Sequence, residues 1–494
     1  MKTNEEGFGK NFPPKTIAIV GVSRNEILNH PGYTGLKLLH ILQEGQFPGR
    51  IYPVNPKADF IEGLKAYPKV SAIPEPVDLA TITVPAALVP EVLEDCIAAG
   101  VPTVQICTSG FGETGDEEGK RLDERIREIT RRGHAWVIGP NCMGFHVPSA
   151  RMQMFENVPL EPGPVAFISQ SGGHSRTFIL NASHMGIGIS KVISYGNALL
   201  TDAPDLLEYL GDDPETRIIC MYLEGIKDGP RLFELVKRIN PIKPIIIWKS
   251  GHTDSGARAA SSHTGSLAGS NEIWDAFFKQ TGAIRVGSIE EMTEVATALL
   301  WLKPSSGNRA AVLGAGGGDS VAAGDIAAEE GLALPPLSPQ TRAELLKFVA
   351  LVNQGVANPL DLPTAFGYHT FLKQTLDLLT ADPVIDLVIV RLEAEFFKYR
   401  EAFSAIAEFE RVILTKTQEE GGKPLAIAVT NTNRVEPSEP HARQLREKGI
   451  LAYPSLRGAC RALSRFAVYH RFVQEISGNG KSAPTIPDPK NRQR

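Results

Sequence analysis

Lys15-Thr16-Ile17-Ala18-Ile19-Val20-Gly21 is the stretch whose reading decides the fold. It is a short apolar run closed by a glycine, which reads as a buried strand entering a turn. Similar runs follow at 50–56 (RIYPVNP), 79–85 (LATITVP), 103–111 (TVQICTSGF) and 135–144 (AWVIGPNCMG). Helical patterns separate them at 34–44, 88–99 and 117–132. Strands that alternate with helices predict a parallel, doubly wound α/β sheet over residues 12–147. Ligands of such sheets lie across the carboxyl ends of the strands. The turns collected there are 21–24, 54–57, 84–85, 107–110 and 139–141.

The pattern recurs twice. Residues 148–164 carry four prolines and read as a linker. A second domain, 160–302, then opens with the strand PVAFIS (164–169), the turn Gln170-Ser171-Gly172-Gly173 and a helix from about His174. Strands at 189–197, 217–225 and 244–251 follow, with helices at 202–210 and 230–239 between them. After a second break at 303–307, the third domain (306–478) repeats strand, glycine-rich turn and helix in RAAVLGAGGGDSVAAGDIAAEEG (309–331). Its later strands are expected at 385–392 and 423–430. The tail 479–494 is polar and proline-containing and is expected to be disordered.

A chain of 494 residues suits about three domains. A net charge of −5, without a long basic run, gives no electrostatic case for nucleic acid. The five cysteines are scattered, with no CxxC pair. They predict neither a disulfide framework nor a metal site, and suit a reducing cytoplasm. The polar N-terminal segment has no signal-peptide core, and no apolar run reaches the roughly eighteen residues of a membrane span.

Gly21 stands alone, so the GxGxxG dinucleotide fingerprint is missing. The second strand ends in Asn55-Pro56-Lys57, where an NAD enzyme places an acid for the ribose hydroxyls. Lys57, with Ser23 and Arg24 on the first turn, favours a ligand bearing extra phosphate, either NADP or the phosphorylated adenosine end of coenzyme A. In the second domain, Ser171, Gly172 and Gly173 form a strand-to-helix turn of the kind that holds phosphate. Gly316, Gly317 and Gly318 form another, without the Gly-Lys-Ser/Thr ending of a P-loop. Ser261-Ser262-His263-Thr264-Gly265-Ser266-Leu267-Ala268-Gly269 sets an imidazole among small residues just before a helix starting near Asn271. His263 there can be base, nucleophile or ligand. The plain alternative is a loop histidine bonded to its neighbours. Glu224, at a strand end, is expected to face the same crevice and to fix the imidazole tautomer.

The motifs VGVSRN, PVNPK, TSGF and GPNCMG resemble the CoA-binding domain of the NDP-forming acyl-CoA synthetases, the group that includes the succinyl-CoA synthetase α chain. SQSGG, SYGN, YLEGIKDG and KSGHTDSGARAASSHTGSLAGS resemble the next domain of ADP-forming acetyl-CoA synthetase α chains. The resemblance runs from about residue 15 to 475. It implies a Rossmann-like CoA-binding domain followed by two flavodoxin-like, succinyl-CoA-ligase-type domains. It implies a CoA site made by Gly21, Ser23, Arg24, Lys57, Val84, Pro85, Cys107, Thr108, Ser109 and Asn141. Cys107 and Cys142 enter as small buried residues, not nucleophiles. His263 is the residue that the resemblance implies is transiently phosphorylated, with Glu224 assisting it. The Gly316–Gly318 turn is implied to bring a second helix N-terminus to that phosphohistidine.

Three small α/β domains leave no room for an ATP-grasp module, so the resemblance implies a separate β chain that binds ATP or ADP and Mg. One departure stands out: His174-Ser175-Arg176 follows the second-domain turn where relatives carry small or apolar residues. His174 is expected to crowd the turn, and Arg176 to pair with a negative group of the acyl substrate or lie on the helix surface. Two rival readings are a non-catalytic CoA-binding regulatory or scaffold protein, disfavoured by the intact SHTGSLAG, and an NADP oxidoreductase, disfavoured by the absent GxGxxG.

Overall fold

The computed structural model describes residues 12–23, 34–251, 253, 256, 270–314, 316–366, 369–399, 403–419, 421–431 and 437–478. Arg24, His263 and the tail 479–494 lie outside them. Two compact units are present: one holds the described residues up to Ser183 and Gly188–Ile289, the other His184–Ile187 and the described residues from Glu290 on.

The first unit contains two sheets. In the first sheet, β1 (Thr16–Val20), β2 (Arg50–Val54), β3 (Leu79–Ile82), β4 (Thr103–Ile106) and β5 (Trp136–Ile138) pair in parallel in the order β2-β1-β3-β4-β5. Ile17, Ala18 and Ile19 have no exposed surface, as expected of a strand covered on both faces. Helices α1 (Gly35–Glu44), α2 (Val89–Ala98) and α3 (Glu117–Arg131) make the crossovers. Thr34 caps α1 by accepting from the Lys37 N–H, and Asp116 caps α3 by accepting from Gly119.

The strand β6 (Gly144–Val147), within the stretch that the sequence assigns to the first domain (12–147), belongs to the second sheet. There it pairs antiparallel with the strand Ile189–Ser194 and with β7 (Met152–Gln153). The parallel part of that sheet comprises β8 (Pro162–Ser169), β9 (Ile189–Ser194), β10 (Ile218–Leu223), β11 (Ile245–Lys249) and β12 (Ile284–Arg285). The full order is β12-β11-β10-β8-β9-β6-β7. Helices α4 (Gly172–His184), α5 (Ala203–Asp212), α6 (Gly229–Ile239) and α7 (Asn271–Thr281) connect or flank these strands. One hydrophobic core runs through both sheets, from Ile17, Leu38 and Ile138 to Ile168, Ile193 and Ile219. On α7, Trp274, Phe277 and Phe278 pack inward, while Ile273, at the margin of that stripe, is 68% exposed.

The second unit contains a third parallel sheet. It is built from β13 (Ala310–Gly314), β14 (Leu360–Asp361), β15 (Leu387–Glu393), β16 (Leu425–Thr430) and β17 (Ala452–Tyr453), in the order β14-β13-β15-β16-β17. The helix α8 (Ile289–Trp301), read from the sequence as the end of the second domain, groups with this unit. Its Glu294 carboxylate accepts from Arg461 at 2.6 Å, and its Glu294 carbonyl accepts from the Tyr453 hydroxyl at 3.2 Å.

Numbered within itself, each parallel sheet has the order 2-1-3-4-5. The direction of winding therefore reverses between its first and third strands, and ligands of open α/β sheets bind at that reversal.

Candidate active site

At the reversal point of the first sheet lie the turns after β1 and β3. Gly21 has φ +103°, and a Cβ there would stand 2.9 Å from Thr83 Oγ1, so only glycine lets the first turn close against the third strand. Ser23 and Val84 are half-buried, Pro85 and Ser109 are exposed, and Thr108 donates to the Val84 carbonyl at 2.7 Å. Lys57 is exposed; its N–H donates to Asn55 Oδ1 at 2.8 Å, and Asn55 Nδ2 reaches the Val22 carbonyl at 2.7 Å. The structure thus ties the second-strand turn to the first and leaves the lysine reaching outward. This arrangement of open turn surface and an outward cation fits a phosphorylated ligand lying along the strand ends.

Cys107 and Cys142 are both buried, as expected. Gln105 Nε2 donates to Cys107 Sγ at 2.9 Å, and burial pushes the Cys142 thiol well above its ordinary range, which keeps it a thiol and not a nucleophile. Asn141 Nδ2 donates to Asn197 Oδ1 at 3.2 Å, and Asn197 Nδ2 donates to Glu113 Oε2 at 2.6 Å. The same Glu113 carboxylate accepts from the N–H groups of Gly110 and Phe111 at 2.7 and 3.1 Å. The TSGF turn of the first sheet and the SYGN turn of the second are therefore laced together through one carboxylate.

At the reversal point of the second sheet, Ser171 caps α4: its Oγ accepts from the His174 N–H at 3.2 Å. A Cβ on Gly172 would stand 2.5 Å from Met143 Cγ, so the glycine is required by close packing; Gly173 meets only Ser171 Oγ at 3.8 Å. The first N–H groups of a helix have no intrahelical partner and carry its positive dipole end, the standard means of holding an anion. Glu224 lies just past the end of β10, beside this turn, and is 6% exposed. Gln170 Oε1 accepts from the Glu224 N–H at 2.5 Å and from the Gly225 N–H at 3.0 Å. Lys249 Nζ donates to the Glu224 carbonyl at 2.9 Å and also to that of Ser250. Burial lowers the Lys249 ammonium to about 8, against the pull of Glu224. Gln170 and Lys249 were not singled out from the sequence. Gln170 is signalled only by its place at the head of SQSGG, since the strand end it holds is 54 residues away.

His174, the departure in the second-domain turn, has its ring against two aromatic side chains. Its ring packs 4.5 Å from the Tyr222 ring and 4.9 Å from Trp248, centroid to centroid. Arg176 is exposed on α4, and its Nε donates to the Glu156 carbonyl at 3.3 Å. At the third sheet, Gly316 donates its N–H to Asp361 Oδ1 at 2.6 Å, and Asp319 in the first turn of α9 (Gly317–Glu329) accepts from Arg391 at 2.9 Å. Gly317 and Gly318 are exposed. No group of His, Cys, Asp and Glu able to hold a metal ion occurs among the described residues, and no described helix is long and apolar enough to cross a membrane.

Comparison with known proteins defines the class first. Residues 15–148 match the CoA binding domain, and residues 162–299 match the succinyl-CoA ligase like flavodoxin domain. This is the domain pair of an acid–thiol ligase of the succinyl-CoA ligase type. The II subunit alpha of the ADP-forming acetate–CoA ligase of Pyrococcus furiosus is 38% identical over 442 residues, 90% of this chain and 93% of the relative. The I subunit alpha from the same organism is 37% identical over 468 residues, 92% and 96% of the two chains. Dinucleotide-forming acetyl-coenzyme A synthetase 1 of Candidatus Korarchaeum cryptofilum, solved with phosphate and ADP, superposes with a TM-score of 0.80 at 32% identity, covering 96% of this chain and 99% of that one. The chain belongs to the ADP-forming acyl-CoA synthetase family, and within it to the α subunits.

Proposed function

We propose that the chain acts as the α subunit that interconverts acyl-CoA, phosphate and a nucleoside diphosphate with a carboxylic acid, CoA and the nucleoside triphosphate. The observation that carries this reading is Glu224: a buried carboxylate, its main chain tied by Gln170 and Lys249, beside the Gly172–Gly173 helix N-terminus. CoA would lie across Gly21, Ser23, Arg24, Lys57, Val84, Pro85, Cys107, Thr108, Ser109 and Asn141. Phosphate attacks the thioester carbonyl and the CoA thiolate leaves, giving an acyl phosphate. A ring nitrogen of His263 then attacks phosphorus as the carboxylate departs. Glu224 accepts from the other ring N–H, which fixes the tautomer and stabilises the charged imidazole.

The helix N-termini at Ser171–Gly173, and at Gly317 and Gly318 beside Gly316, are the proposed phosphate-binding groups; each such terminus favours an anion by roughly 0.3–2 kcal/mol. Arg176, exposed on α4, is the candidate partner for a negative substituent on the acyl group. The phosphoryl group passes to ADP, held with Mg on a separate ATP-grasp β chain, in the cytoplasm.

The test mixes the purified chain with a separately expressed ATP-grasp β chain and follows release of free thiol from acyl-CoA in the presence of phosphate and ADP. Thiol release should need both chains. ADP phosphorylation by this chain alone would overturn the two-chain reading. CoA binding without turnover across a series of acyl-CoA thioesters would favour a non-catalytic CoA-binding protein.

A further inference from the structure

Glu224 is held by more than its main chain. Gln170 fixes its N–H and Lys249 its C=O, so the freedom left to it lies in the side-chain torsions. Tyr222, two residues earlier on the same strand, projects to the same face of the sheet. Its hydroxyl donates to Glu224 Oε1 at 3.3 Å. The tyrosine ring is itself clamped. Trp248, its direct neighbour in register on β11, stands 4.8 Å away, and His174 from the first turn of α4 stands 4.5 Å away on an edge-to-face path. Tyr222 is 6% exposed, and burial raises its phenol to about 12, so it stays a proton donor throughout the working pH range.

We propose that Tyr222 is a positioning residue that sets the orientation of the Glu224 carboxylate, with His174 and Trp248 as the walls that hold its ring. The proposal rests on the reading of Glu224 given above. It assigns a purpose to the departure at His174, which supplies the ring that closes the clamp from the helix side. A second tyrosine gives the internal control. Tyr195 is fully buried, and burial together with Asp202, Glu224 and Tyr222 pushes its phenol well above the ordinary range. Its hydroxyl has no hydrogen-bond partner among the described residues.

The experiment measures kcat, KM for CoA and thermal midpoint of the two-chain enzyme for wild type, Tyr222→Phe, Tyr195→Phe, Glu224→Gln and Tyr222→Phe/Glu224→Gln. A hydrogen bond of 3.3 Å is long for O–H···O, so the loss is modest: kcat of Tyr222→Phe falls about three- to tenfold, with KM for CoA within about twofold of wild type and the midpoint retained. Tyr195→Phe keeps wild-type kcat. In the Glu224→Gln background, Tyr222→Phe costs less than half of its effect in wild type, because the two act as one unit. An unchanged kcat in Tyr222→Phe, an equal loss in Tyr195→Phe, or a full, independent effect in the double variant overturns the positioning role. If Glu224→Gln itself turns over like wild type, it is the catalytic reading of Glu224 that fails.

Discussion

The reversal points of the second and third sheets share one plan and differ in what fills it. Each has the strand order 2-1-3-4-5, and each first strand runs through a glycine turn into a helix. At the second sheet the neighbouring strand presents Glu224, buried, with its backbone groups held by Gln170 and Lys249. At the third sheet the corresponding strand presents Arg391, 9% exposed, which is occupied by Asp319 at 2.9 Å and stands 3.7 Å from Glu393. The third turn has also filled part of its own anion site, since the Gly316 N–H goes to the Asp361 carboxylate. Topology therefore makes the place, and the side chains on the adjacent strand ends differ: the second sheet offers a carboxylate suited to a reacting histidine, while the third holds its cation in an internal ion pair and leaves the exposed Gly317 and Gly318 for an anion.

Paired substitutions break or sharpen that contrast. Glu224→Gln should slow turnover of the two-chain enzyme roughly 10- to 100-fold, the range for losing the group that orients a reacting histidine, while leaving CoA binding intact. Arg391→Gln should do the opposite: it leaves the exposed Asp319 without its cation and should lower stability by roughly 0.5–1.5 kcal/mol in denaturant unfolding, with turnover of the folded fraction within about threefold. If Arg391→Gln abolishes turnover in folded protein, Arg391 itself serves the chemistry and the contrast fails.

The first sheet supplies the smallest effect. Lys57 is exposed, so its contact with a phosphate is worth roughly 0.2–1 kcal/mol, and Lys57→Ala should weaken CoA about two- to fivefold in calorimetry while leaving dephospho-CoA unchanged. Equal weakening of both ligands, or tighter binding of NADP than of CoA, would contradict the placement of the adenosine phosphate.

Most of the fold was legible because parallel strands buried on both faces are continuous apolar runs. The expected strand ends agree with the observed ones to within a few residues, as at 310–314, 387–393 and 425–430. Sheet membership was less legible than strand position. Gly144–Val147 directly follows the first sheet, yet hydrogen-bonds antiparallel to β9 in the second, and a four-residue strand carries no periodicity that names its partner. Glu224 was legible as a strand-end acid. Gln170 and Lys249 were not, because they act on main-chain groups that lie 54 and 25 residues away in sequence. Tyr222 was within reach, since period two puts it on the face of Glu224, but its clamp needs the register of Trp248 and the turn of His174.

The central claim, that the second sheet carries a phosphoryl-transfer site, is tested most directly by labelling. The chain, alone and with its β partner, is incubated with acyl-CoA and labelled phosphate, then digested and mapped. The account predicts an acid-labile, base-stable label on His263, absent from His263→Asn, which still binds CoA and does not turn over. Label on a serine or carboxylate, or turnover by His263→Asn, would contradict it.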